Sequence, residues 1–119
     1  MSKGTVLVVD DEPTVRQFVE AVLQREGYAV LEAGDGREAL DVFRIRQEEI
    51  GLVLLDLGMP EMGGYEALAE IQVLDPDSQV AVITGLQPDE DRLPGIRGIL
   101  TKPFSPQELL KLVRGILED

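Results

Sequence analysis

The chain has 119 residues, 44% of them hydrophobic, and a formal net charge of −12 at pH 7. That length supports one domain with a single core, and that charge argues against a nucleic-acid surface, which needs clustered Lys and Arg. With neither Cys nor His present, disulfides, thiolate or imidazole metal sites, a phosphohistidine and a histidine general base are all excluded within this chain.

No apolar stretch approaches the roughly 20 residues of a membrane helix, so no membrane contact is expected. Met1-Ser2-Lys3 leads straight into the first strand, so we expect no leader peptide and a cytoplasmic location.

Apolar runs alternate with segments of 3.6 period, the pattern of an α/β sheet wound by crossover helices. Val6-Leu7-Val8-Val9 predicts the first strand and ends on Asp10-Asp11. Pro13 then suits a first helical turn, and Val15, Phe18, Val19 and Val22 form a helical stripe closed by Gly27. Residues 28–33 read as a second strand, mixed in polarity and therefore at an edge. Asp35 predicts the N-cap of a helix carrying Ala39, Leu40 and Phe43.

The third strand, Leu52-Val53-Leu54-Leu55, ends on Asp56 and is followed by a Gly-Met-Pro-Glu-Met-Gly-Gly loop. A third helix carries Tyr65, Leu68, Ile71 and Leu74, and Pro76 closes it. Val80-Ala81-Val82-Ile83 ends on Thr84. Between Gly85 and Gly98 the chain is polar and holds Pro88 and Pro94, so one or two helical turns fit at most. Ile99-Leu100-Thr101 ends on Lys102, and Ser105-Pro106-Gln107-Glu108 is a capping box for a last helix burying Leu109, Leu110, Val113 and Leu117.

Unbroken aliphatic runs of this kind read as parallel strands buried on both faces. Right-handed crossovers then place helices on both sides of a doubly wound five-stranded parallel sheet of order 2-1-3-4-5, with a shortened fourth helix. Ligands bind such sheets beyond the carboxyl ends of the strands. Asp10, Asp11, Asp56, Thr84 and Lys102 would converge there.

Three adjoining carboxylates resist joint ionisation unless a cation joins them. A hard divalent ion suits them, and Mg²⁺ in particular bridges a few carboxylates to a phosphate. Lys102 supplies a positive point charge, Thr84 a hydroxyl donor, and Asp56 a candidate nucleophile for phosphoryl transfer. Taken singly, each residue has a plainer reading: a solvated strand-end Asp, a capping pair, a β-forming Thr, a surface Lys. Their joint placement, one set at the end of each of four strands, points to the chemistry.

At these residues the chain resembles the receiver domain of two-component response regulators, the CheY-like branch of the flavodoxin-like fold. The resemblance is carried by Val8-Val9-Asp10-Asp11-Glu12-Pro13, Asp35-Gly36-Arg37-Glu38-Ala39-Leu40, Asp56-Leu57-Gly58-Met59-Pro60-Glu61-Met62, Ile83-Thr84 and Leu100-Thr101-Lys102-Pro103-Phe104. It implies that Asp56 accepts the phosphoryl group and that Asp10, Asp11 and Asp56 hold Mg²⁺ with the Gly58 carbonyl. It implies that Thr84 is the switch hydroxyl, that Lys102 pairs with the phosphoryl group, and that Lys102-Pro103 is cis. The donor it implies is a histidine kinase or histidine phosphotransferase. Residues 1–119 are then expected to be one receiver with no effector domain, catalysing only its own phosphorylation and dephosphorylation.

Three departures qualify the expectation. Ile99 stands where most receivers carry Tyr or Phe, which puts the usual threonine-to-aromatic coupling in question. The Thr84–Lys102 interval is short by about four residues, roughly one helical turn. Gly63 and Gly85 replace a more usual Asp and Ala. The competing readings are a pseudo-receiver that binds proteins without phosphorylation, and an aspartate-nucleophile phosphatase of the haloacid dehalogenase type. The second needs an acid two residues after the nucleophile, where Gly58 stands.

Overall fold

The computed structural model describes residues 3–59, 62–85 and 87–118; Met1-Ser2 and the Pro60-Glu61 part of the loop motif lie outside them. In chain order the elements are β1 (Thr5–Val9), α1 (Pro13–Arg25), β2 (Ala29–Ala33), α2 (Gly36–Arg46), β3 (Ile50–Asp56), α3 (Gly64–Leu74), β4 (Val80–Thr84), a single 3-10 turn (Glu90–Arg92), β5 (Gly98–Thr101) and α4 (Pro106–Leu117). All strand pairs are parallel and the sheet order is β2-β1-β3-β4-β5. No helix is long and apolar enough to cross a membrane.

The period of two in a strand sorts each aliphatic run between two cores. Leu7, Val9, Val53, Leu55, Val80 and Val82 pack on the side of α2 and α3, together with Leu40, Phe43, Leu68 and Ile71. Val6, Val8, Leu52, Leu54, Ala81 and Ile83 pack on the side of α1 and α4, with Val19, Leu23, Leu109 and Val113. Each fully buried aliphatic side chain contributes about 1.5–3 kcal/mol, and β1, β3 and β4 are buried through both faces.

The helices start where local chemistry says they should. Asp35 accepts the Glu38 amide at 2.8 Å while Glu38 accepts the Gly34 amide at 2.9 Å. Ser105 and Glu108 cap each other's amides at 3.0 and 2.9 Å. Glu66 reaches back to the Gly63 amide at 3.0 Å, and Pro13 opens α1.

Several expectations are corrected. Tyr28 is buried but precedes β2, which begins at Ala29. The shortened fourth helix is as expected, a single 3-10 turn over Glu90–Arg92. The last run is not buried on both faces: β5 is an edge strand, with Ile99 37% exposed and Leu100 alone buried within it. Ile99 pairs with Val82 and so faces the side that a full fourth helix would cover. Phe18 is also exposed at 37%, because α1 turns it toward the loop after β5, where its ring meets Phe104 at 5.8 Å. In α4, Leu110 and Leu117 are partly rather than fully buried.

Candidate functional site

The loops leaving β1, β3, β4 and β5 meet at one end of the sheet, and backbone hydrogen bonds fix their register. The Asp10 amide donates to Ala33 O at 3.1 Å, the Leu57 amide to Ile83 O at 3.0 Å, and the Lys102 amide to Thr84 O at 2.9 Å. The Lys102-Pro103 peptide is cis, as expected. Asp10, Asp56 and Thr84 are the buried polar side chains among the described residues.

Carboxylate oxygens of Asp10, Asp11 and Asp56 all lie within 4.8 Å of one another. The Lys102 ammonium sits 3.0 Å from Asp10 Oδ2, 3.1 Å from Glu12 Oε1 and 3.5 Å from Asp56 Oδ2. Asp56 Oδ1 accepts the Gly58 amide at 3.0 Å, and Asp10 Oδ1 accepts the Glu12 amide at 2.9 Å. A cavity of about 310 Å³ above them is lined by Asp11, Glu12, Asp56, Gly58, Thr84, Gly85 and Lys102. Every residue singled out from the sequence is therefore in this cluster, with Asp10 as its buried floor.

Burial pushes the Asp56 carboxyl above its ordinary range, and the negative charges of Asp10 and Asp11 add to that. The Gly58 amide and the Lys102 ammonium oppose it without cancelling it. For Lys102, burial acts to lower its pKa, but the carboxylates of Asp10, Glu12 and Asp56 outweigh it and hold the amine protonated well beyond its ordinary value. Three carboxylates thus face one ammonium, with the Asp11 carboxylate beside them. Asp10 is fully buried, and the Lys102 ammonium, 3.0 Å away, is the partner of its Oδ2. A buried carboxylate with two further carboxylates beside it fits a hard divalent cation with oxygen ligands.

Two participants escaped the sequence. Glu12 shares Lys102 with Asp10; its signal was its place directly after Asp11, extended ahead of Pro13. Arg16 donates from Nη1 to the Asp10 carbonyl at 2.6 Å and from Nε to Glu32 at 3.0 Å, bracing the loop after β1. Beside the cluster, an apolar recess of about 470 Å³ runs between α1 and the loop after β5. Val15, Phe18, Pro103 and Phe104 line it, and it shares Glu12 and Lys102 with the acidic cavity.

Residues 6–114 match the family model of the response regulator receiver domain. The chain belongs to that receiver family. It is 38% identical over 98% of its length to the probable transcriptional regulator ycf27 of Porphyridium aerugineum, spanning 49% of that protein. It is also 38% identical over 97% of its length to the sensor kinase CckA of Brucella abortus, spanning 13% of it. Among solved structures, the CheX-CheY-BeF3-Mg²⁺ complex of Borrelia burgdorferi matches with a TM-score of 0.86 and 30% identity, over 95% of this chain and 88% of that one. The receiver therefore spans about half the length of the first of these relatives, and a small part of the second. Receivers are signalling domains of two-component systems, and the 2-1-3-4-5 sheet with helices on both faces is their CheY-like architecture.

Proposed function

We propose that this receiver takes a phosphoryl group onto Asp56 from a partner histidine kinase or histidine phosphotransferase, and then relays it or signals by a population shift. The observation that carries the reading is the Asp56 carboxylate, 4% exposed, lying 3.5 Å from the Lys102 ammonium in a cavity that Thr84 also lines. The donor must lie outside this chain, which contains no histidine. In the transfer an Asp56 carboxylate oxygen attacks phosphorus. The phosphorus–nitrogen bond of the donor breaks, its electron pair returns to the imidazole, and an acyl phosphate remains on Asp56.

Lys102 is the fixed counter-charge for the arriving oxygens, held ready by Asp10 and Glu12. Thr84 offers a hydroxyl donor at the cavity wall. Asp10, Asp11 and Asp56, with the Gly58 carbonyl, would hold Mg²⁺, which supplies charge neutralisation for the transferring group. The apolar recess of Phe18 and Phe104 leaves the side next to Lys102 open for a donor to approach. Residues 1–119 act in this reading as one receiver unit.

The test is intact mass after incubation with acetyl phosphate and Mg²⁺. A gain of one phosphoryl group, absent in Asp56→Asn and absent with EDTA, is expected. An unmodified wild-type protein that still binds Mg²⁺ refutes the proposal in favour of a phosphorylation-independent binding module.

A further inference from the structure

The segment between β4 and β5 is as short as the sequence led us to expect, and it is tied down at several points. Leu93 is 5% exposed and belongs to the core on the side of α2 and α3. Gln72 of α3 donates to the Pro94 carbonyl at 2.6 Å. The largest set of ties converges on one side chain. The Asp89 amide donates to the Tyr65 hydroxyl at 2.8 Å, the Arg92 guanidinium carbon lies 4.1 Å from the Tyr65 ring centroid, and Arg92 stands 3.7 Å from Glu66.

Tyr65 is in turn joined to the acidic cavity from below. It is the second residue of α3, whose first residue, Gly64, is pressed so closely on β3 that a Cβ there would stand 2.4 Å from the Asp56 carbonyl oxygen. Tyr65 therefore rides on an element seated against Asp56, while its hydroxyl holds Asp89, five positions beyond Thr84. Ile99 is exposed on the edge strand and has neither ring nor hydroxyl to connect Thr84 with the surface.

We infer that Tyr65 is the positioning residue that fixes the segment following Thr84 against α3, and that phosphorylation is read out at the surface formed by Tyr65, Asp89 and Arg92. The inference rests on the phosphorylation proposed above. A phosphoryl group on Asp56 brings acceptor oxygens to the cavity wall, and a Thr84 hydroxyl turning toward them draws the backbone after β4 with it. Because α3 stays seated on Asp56, the displacement falls on the Asp89–Tyr65 hydrogen bond and on the Arg92 stack. A cation over an aromatic face at an exposed site is a weak contact, so a modest shift can rearrange it.

The chain has two tyrosines and no tryptophan, which makes the test direct. Protein labelled with 3-fluorotyrosine gives two fluorine resonances, assigned by the loss of one in Tyr65→Phe. Tyr28, buried ahead of β2 and hydrogen-bonded to Glu118, is the internal reference. With Mg²⁺ and acetyl phosphate, and the adduct verified by mass, the Tyr65 signal is expected to shift while Tyr28 holds still. In Thr84→Ala carrying the same adduct, the shift should fall to less than half. The exposed substitution Arg92→Ala should move the resting Tyr65 signal. An adduct with no Tyr65 shift, a full shift in Thr84→Ala, or a resting signal indifferent to Arg92 overturns the inference and leaves the receiver reading intact. Absence of any adduct overturns both.

Discussion

Replacing Gly64 with alanine tests how the proposed phosphoryl site is held in place. The added methyl would meet the Asp56 carbonyl oxygen at 2.4 Å and Leu57 Cα at 2.6 Å, both backbone atoms of the loop that carries the candidate nucleophile. No side chain can swing aside, so α3 or the end of β3 must move by about 1 Å. Overpacking of this kind costs roughly 1–3 kcal/mol, and the gain of alanine over glycine in a helix returns about 0.5–1 kcal/mol. The net loss is about 1–2 kcal/mol. For 119 residues, an unfolding entropy near 2.1 cal/mol/K per residue converts that to a fall in Tm of about 4–8 °C. Gly115→Ala is the control, because nothing lies within 4 Å of its Cβ inside α4; it should raise Tm by about 2–4 °C. Calorimetric melts of the two variants decide the matter. Since a misplacement of about 1 Å in a reacting group can cost about 100-fold, Gly64→Ala should also slow acyl-phosphate formation at least about 10-fold. A Gly64→Ala protein that melts at or above wild type would show that α3 is not pressed on Asp56 and would refute the reasoning.

Other outcomes follow from the same geometry. In metal-free buffer Asp56→Asn should melt above wild type at neutral pH. The native Asp56 pKa is raised, so between the unfolded and native values the native state holds more protons, and wild-type stability falls as pH rises through that window. The gap should therefore open from acid to neutral pH, and a gap that widens on acidification contradicts the account. Mg²⁺ should raise the wild-type Tm by mass action, about 2.7 kcal/mol at a hundred times its Kd. Asp11→Ala, at an exposed position, should weaken or abolish that rise, and an undiminished rise would take Asp11 out of the metal site. Leu93→Ala should cost about 2–3 kcal/mol in urea unfolding if the short β4–β5 connection is anchored in the core; a change under about 0.5 kcal/mol would mean it is not.

The strands and the candidate site were legible for one reason: each of four aliphatic runs ends abruptly on a polar residue, so strand order alone brings Asp10, Asp56, Thr84 and Lys102 together. What the sequence did not disclose depends on neighbours. Ile99-Leu100-Thr101 reads like a strand buried on both faces, yet Ile99 is exposed, because so little helix forms between Thr84 and Gly98 to cover it. Phe18 fits a helical stripe, but the loop carrying Phe104 decides how far it is covered. The Glu12–Lys102 pair spans 90 residues, and the Tyr65–Asp89 bond joins a helix to a turn with no periodic signature. Such contacts arise from tertiary geometry that local patterning does not encode.

The most direct measurement is where the phosphoryl group sits. Wild-type protein treated with acetyl phosphate and Mg²⁺, trapped with borohydride, digested and sequenced by mass spectrometry should contain homoserine at position 56, the reduction product of an aspartyl phosphate, and at no other acidic residue. Homoserine at another position, or its formation in full yield in Asp56→Asn, would contradict the account.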